Sequence, residues 1–223
     1  MILYLIVFIL ALTEASKRVL NGEFSETNQF PFSAYLGHCS GSIISAHAIL
    51  TAAHCVCHET NATLHVLVGS RIGYPKEMSG KYYEIDKIKI HPLYKKCGYL
   101  KPYDVAILYT KLSLEFNKSI QAVNYSCQRL GKGQVTIFIG YGSDENENDG
   151  ILKYGTAVIG NFDETFMYLS RKRFGSGDGD SGAPIVIKKN NIFIQVGLIG
   201  GKSDNYTIGV PIYSFCDWLL NNV

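Results

Sequence analysis

From Phe32 to Thr51 apolar and polar residues alternate (Phe32, Ala34, Leu36, then Ile43-Ile44 and Ile49), with Gly37 and Gly41 breaking the run. A period of two predicts short antiparallel strands rather than a helix. Leu64 to Val68, Ile85 to Ile90, Val105 to Tyr109, Val135 to Ile139, Ile185 to Ile187 and Ile192 to Ile199 repeat the pattern at short spacing. Only the end, Phe215-Cys-Asp-Trp-Leu-Leu220, reads as helical, so the expected fold class is all-β with a C-terminal α-helix. The tract Gly142-Ser-Asp-Glu-Asn-Glu-Asn-Asp-Gly150 is a solvated acidic loop, and no internal repeat or low-complexity linker divides the chain.

One stretch fits no element. Gly175-Ser-Gly-Asp-Gly-Asp-Ser-Gly-Ala-Pro184 packs four glycines, two aspartates and two serines into ten residues. Glycine opens backbone conformations that a Cβ forbids and leaves peptide N–H groups uncovered. The segment therefore reads either as a tight loop offering N–H groups and the Ser181 hydroxyl to a ligand, or as a plain surface turn.

Length and composition narrow the class. With 223 residues, 47% hydrophobic and 18% charged, the chain can bury a full core, which excludes disorder. A net charge of +2 gives no reason to expect nucleic acid or an anionic membrane as partner. The apolar run Ile2 to Leu12 is too short to span a bilayer and is followed by Thr13-Glu-Ala15, with small residues flanking a cut after Ala15. Residues 1–15 thus read as a secretory signal peptide, and Ser16-Lys-Arg18 either as a processing site, which would make 16–18 a propeptide, or as a scar without function, leaving 19–223 with no membrane attachment. Secretion makes disulfides of the six cysteines and gives meaning to the sequons at Asn61, Asn117, Asn124 and Asn205 as glycosylation sites.

Two further stretches carry candidate chemistry. Leu50-Thr-Ala-Ala-His54-Cys55 ends an apolar strand with a histidine and a cysteine, and Tyr103-Asp104-Val-Ala-Ile-Leu108 heads another with an aspartate that would need a partner if buried. Alone, each is most simply structural. His, Asp and then Ser inside a glycine loop, in that order, form a constellation. A zinc reading of His54-Cys-Val-Cys-His58 is disfavoured, because neighbouring side chains on a strand point to opposite faces and secretion favours oxidised cysteines.

Thr51-Ala-Ala-His54-Cys55, Asp104-Val-Ala-Ile-Leu108 and Gly179-Asp180-Ser181-Gly182-Ala-Pro184 resemble the three signature motifs of the chymotrypsin/trypsin family of serine proteases, in that family's order, and the likeness runs from Arg18 to Trp218. The resemblance implies two packed antiparallel β-barrels, about 19–111 and about 122–223, with a cleft between them. It implies a secreted, monomeric endopeptidase acting on protein or peptide substrates, needing no cofactor or metal and subject to protein inhibitors. Ser181 would be the nucleophile, His54 the general base and Asp104 its orienting partner, with the Gly179 and Ser181 amides as oxyanion hole. It also implies a zymogen: a cut after Arg18, by a protease of trypsin-like specificity, would free Val19 to pair with Asp180. Of the cysteines, Cys39 with Cys55 and Cys127 with Cys216 match family pairs. Cys57 and Cys97 are left over on loops rimming the cleft, where a bridge is plausible but sequence alone cannot choose.

The departures concern recognition. The base of the primary pocket, an aspartate in family trypsins, is Gly175 followed by Ser176, so nothing there would attract Arg or Lys. The Ser-Trp-Gly segment that pairs with substrate backbone is replaced by Gly200-Gly201-Lys202; the lysine would either close the pocket mouth or favour an acidic residue, while Gly209 matches a pocket-lining glycine. An expected cysteine is Gly177, and the segment from Thr156 to Phe174 is too short for the family's disulfide-linked loop and helix. The alternative reading is a catalytically impaired, protease-like binding or decoy protein with an occluded pocket.

Overall fold

The computed structural model describes residues 22–60, 64–73, 80–143, 150–171 and 175–223. The expected signal and propeptide segments, Arg18, Val19 and Asn61 lie outside these residues. The first half of the chain supplies strands β1 (Glu23–Phe24), β2 (Ser33–Tyr35), β3 (Ser40–Ser45), β4 (Ala48–Thr51), β5 (His65–Val68), β6 (Lys81–Ile90) and β7 (Ala106–Thr110). Six of them close a barrel in the order β2-β3-β4-β7-β6-β5, all pairings antiparallel. Along β6, Tyr83 and Ile85 point inward between exposed neighbours, as alternation predicts. In β4 and β7 nearly every residue is buried, so both faces of these strands are covered.

The second half supplies β8 (Asn124–Tyr125), β9 (Val135–Gly140), β10 (Lys153–Phe162), β11 (Met167–Ser170), β12 (Pro184–Lys189), β13 (Ile192–Lys202) and β14 (Tyr206–Pro211). The order β9-β10-β11-β14-β13-β12 returns to β9, closing a second antiparallel six-stranded barrel around Phe138, Ile159, Met167, Leu169 and Ile185. Closure leaves neither barrel with an open edge. β1 pairs with β10, so the N-terminal described segment is strapped onto the second barrel, and β8 runs parallel to β13.

The strands expected from period-two runs all form. The pattern did not disclose β10, β11 or β14. Inward positions of β10 are Lys153, Gly155, Ala157 and Ile159, only one of them a large apolar side chain, and a bulge between Ile159 and Asn161 shifts its register against β11. The terminal helix α1 is one short piece, Cys216–Leu220, seated by fully buried Leu219. Ile139, Tyr141, Val186, Leu198 and Val210 of the second barrel join the core of the first, so the two pack as one body with the motif residues at their seam.

Candidate active site

β4 delivers His54. The strand ends at Thr51, and Ala53–Cys55 makes a single 3₁₀ turn that lifts the imidazole out of the sheet. Because Thr51 pairs with Ala106, the residue two before β7 lies beside that turn, and it is Asp104. Asp104 is completely buried. Its Oδ1 accepts the His54 backbone N–H at 2.8 Å, and its Oδ2 lies 2.6 Å from His54 Nδ1, so the carboxylate that needed a partner has two on one residue. A carboxylate facing Nδ1 selects the tautomer with the proton on that nitrogen and leaves Nε2 as the acceptor. Nε2 is itself buried and without a hydrogen-bond partner, beneath the Tyr99 ring at a centroid distance of 4.3 Å.

The glycine loop docks onto the same corner. A Cβ at Gly182, where φ is +79°, would stand 2.3 Å from both Ser40 O and Thr51 Oγ1, so only glycine lets the loop backbone lie directly on the strand ends that carry His54. Ser40 N–H donates to Ser181 O at 2.8 Å, Ser40 Oγ donates to Gly179 O at 2.9 Å, and Gly182 N–H donates to Ile199 O at 2.7 Å. Asp178 O accepts from Ser143 N–H at 2.7 Å. In a trans peptide C=O and N–H oppose each other, so this bond turns the Gly179 N–H away from Ser143. Neither that N–H nor the one of Ser181 has an acceptor among the described residues. Ser181 is half-buried and opens on a cavity of about 240 Å³ whose wall includes the same Tyr99 that covers His54. His54 and Asp104 are joined, and Nε2 has no hydrogen bond to Ser181.

Asp180 is buried under this loop. Burial pushes its pKa up to about 6, against the opposing pull of the Gly177 and Gly142 N–H groups and of the Lys153 and Lys202 charges. Those N–H groups lie 2.7 and 2.9 Å from the carboxylate. A Cβ at Gly140 or Gly142 would collide with it, so glycines at both places make the cradle.

The recognition side holds two features the sequence reading missed. At Gly175 a Cβ would stand 2.4 Å from Arg171 Nε: the space a base side chain would occupy is filled by a guanidinium of the chain itself. Nη1 donates to Ser203 O at 2.7 Å and Nη2 to Ser176 O at 3.3 Å, while Nε is buried without a partner. The basic run Arg171-Lys-Arg173 was visible in the sequence, but nothing in its spacing says it folds back over residue 175. The second feature is Leu100, held at φ +53° with its side chain on Gly201: a Cβ at Gly201 would be 2.6 Å from Leu100 Cδ2. A leucine in the left-handed region is strained, and such strain gathers at functional clefts. Lys202 closes one flank by pairing with Asp178 at 2.5 Å. Ser176 is fixed by Thr207 Oγ1, which accepts its N–H at 2.9 Å. A Cβ at Gly177 would meet Ser143 O at 2.5 Å, which leaves no room for a cysteine. A Cβ at Gly200 would touch Val210 at 3.0 Å, with Asp104 Oδ2 3.9 Å away, and one at Gly209 would run into Ile185 and Met167.

A family model described as Trypsin matches residues 19–219. The chain belongs to the trypsin family. Hypodermin-A of Hypoderma lineatum is similar at 29% identity, over 83% of this chain and 78% of its own. Trypsin of Simulium vittatum is 24% identical over 85% and 86%, and trypsin alpha of Drosophila melanogaster 27% identical over 78% and 75%.

Against this trypsin-family frame the cysteines fall into place. Cys39–Cys55, Cys57–Cys97 and Cys127–Cys216 are bonded, closing stretches of 16, 40 and 89 residues. Each contributes on the order of 3–5 kcal/mol if loop entropy dominates. Cys57–Cys97 ties the loop bearing Tyr99 and Leu100 to the turn bearing His54. Two Cys/His clusters lie within metal-ligand distance, Cys39-His54-Cys55 and Cys57-His58-Cys97, but every sulfur in them is spent in a disulfide and offers no thiolate. Asn117, Asn124 and Asn205 are exposed. Among the described residues no helix is long and apolar enough to cross a membrane.

Proposed function

We propose that the protein is a secreted serine endopeptidase, made as a zymogen and cut after Arg18. Ser181 Oγ attacks the peptide carbonyl while His54 Nε2 takes its proton; the proton then goes to the leaving amine, and water repeats the sequence on the acyl-enzyme. Asp104 holds the imidazole and stabilises its charged form. The Gly179 and Ser181 N–H groups receive the oxyanion. The observation that carries this reading is the buried Asp104–His54 pair with Nε2 unpartnered, together with a serine loop in which the Gly179 and Ser181 N–H groups have no acceptor among the described residues. The missing Ser181–His54 hydrogen bond does not oppose it, since such bonds often tighten only with substrate in place. Activation rests on Asp180: a carboxylate with a pKa near 6, whose N–H donors among the described residues are those of Gly177 and Gly142, gains from a further buried cation, and the Val19 amine freed by the cut would be that cation. The activating protease would have trypsin-like specificity, because it must cut after Arg18.

Fluorophosphonate treatment of Arg18-cut protein, with Ser181→Ala as control, tests the reading. Labelling at Ser181 is expected, and Arg18→Gln protein should label and hydrolyse peptides far more slowly. A second reading, a protease-like binding protein, is favoured by Leu100 lying on Gly201 where substrate backbone would pair. Folded, cut protein that takes up no label would support it.

A further inference from the structure

We propose that the primary pocket of this cleft takes an acidic side chain of the substrate, recognised by Arg171 at its base and Lys202 at its mouth. The inference rests on the endopeptidase reading and names its substrate class, through a residue that lies outside the family's motifs.

The sign of charge at the pocket base is the first support. The family resemblance puts residue 175, six before the nucleophile, at that base, and the space its side chain would take is held by Arg171, with Nε 2.4 Å and Cζ 3.2 Å from an ideal Cβ. Where a carboxylate would draw a cation, a guanidinium draws an anion and repels Lys and Arg. Among the described residues no ion-pair partner cancels it. Its two hydrogen bonds go to the neutral carbonyls of Ser203 and Ser176, and no carboxylate among the described residues forms an ion pair with it. Asp204 acts on it only at longer range and is exposed. Asp180, buried behind the loop, is engaged by the Gly142 and Gly177 N–H groups. A guanidinium cannot shed its proton, so a partly buried one without a counter-ion favours whatever carboxylate reaches it. The unpartnered Nε–H is a donor still to be used.

The mouth repeats the sign. Lys202 lines the cavity that opens on Ser181, and its present partner Asp178 is 77% exposed. Exposed pairs of this kind are weak, so a carboxylate entering the cavity can displace Asp178 from Lys202. Ser176, which accepts from Arg171, lines the same cavity.

Arg171 has a simpler possible role. Bridging the carbonyls of Ser176 and Ser203, it joins two strands of chain that lack a crosslink because position 177 is glycine. A brace alone would affect all substrates equally, and recognition would not. The test is kcat/KM for peptides with Asp, Glu, Ala, Leu or Lys as the residue whose carbonyl is cleaved, using Arg18-cut wild type, Arg171→Gln, Arg171→Lys and Lys202→Gln, with active sites counted by fluorophosphonate. Glu or Asp should exceed Ala by at least about tenfold in the wild type. That ratio should collapse in Arg171→Gln, survive in Arg171→Lys and fall several-fold in Lys202→Gln. A uniform loss in Arg171→Gln across all peptides, or a wild-type preference for Leu, Ala or Lys, overturns the proposal. Binding of the same uncleaved peptides to Ser181→Ala protein decides the pocket without chemistry. Tighter binding of acidic peptides there, even if wild type takes no label, supports the pocket while sinking the endopeptidase reading; equal binding overturns the pocket whether or not Ser181 reacts.

Discussion

From Gly179 to Pro184 the glycine loop is gripped mainly through its own backbone: Ser40 Oγ holds the carbonyl of Gly179 and Ser40 N–H that of Ser181, Ile199 O holds the N–H of Gly182, and β12 begins at Pro184. From Gly175 to Asp178 the same loop is held largely by side chains, those of Arg171, Thr207, Asp180 and Lys202. On the proposed endopeptidase reading, the difference would follow from the task of each half. Stabilising an oxyanion demands N–H groups whose direction no side chain can supply, so that half tolerates little change. Recognition is set by whichever side chains reach the pocket, so a chain can lose a base aspartate and a bracing cysteine and fill the space from elsewhere.

Changes that probe the contrast should differ in size. Replacing Asp104 by Asn would leave the packing and release the wrong His54 tautomer; kcat should fall about 10⁴-fold with little change in KM. Gly182→Ala drives a methyl into Ser40 O and Thr51 Oγ1 from a left-handed backbone, neither of which can yield, and should cost about 4 kcal/mol in urea unfolding. Asp180 should appear as a pH slope. Its folded pKa of about 6 lies above the ordinary value of 3.8, so the folded state holds the proton more tightly and stability falls as pH rises from about 4 to about 6. In uncleavable Arg18→Gln protein that loss amounts to about 3 kcal/mol and should vanish in Arg18→Gln/Asp180→Asn. In cut protein the new amine should shrink or reverse the slope. Gly175→Ala, in the other half of the loop, meets only the side chain of Arg171. It should cost about 1 kcal/mol or less, and a loss as large as that of Gly182→Ala would end the distinction between the halves.

The sequence made the first barrel more legible than the second. Strands such as β4 and β7 are filled with Ile, Leu and Ala and announce themselves, whereas β10 turns a lysine, a glycine and an alanine inward and β14 is broken by Gly209 and closed by Pro211. The Asp104–His54 contact was foreshadowed because a carboxylate heading an apolar strand needs a partner. Arg171 and Leu100 were not, since each acts on a residue that has no side chain to signal the contact: the guanidinium on Gly175 and the leucine on Gly201. What fills the space beside a glycine is decided by tertiary packing, and no local pattern records it.

The strap of β1 on β10 bears on how activation would work. Phe24 pairs with Lys153, Lys153 pairs with Gly140, and Gly140 lies against the Asp180 carboxylate, so two interstrand spacings, about 10 Å, separate β1 from the cradle. Val19 is four residues before Glu23, a tether of at most about 14 Å. An amine released by the cut would therefore search a small volume around Asp180 at an effective concentration of roughly millimolar or more, and the switch would operate as an intramolecular ligand whose supply no dilution can exhaust.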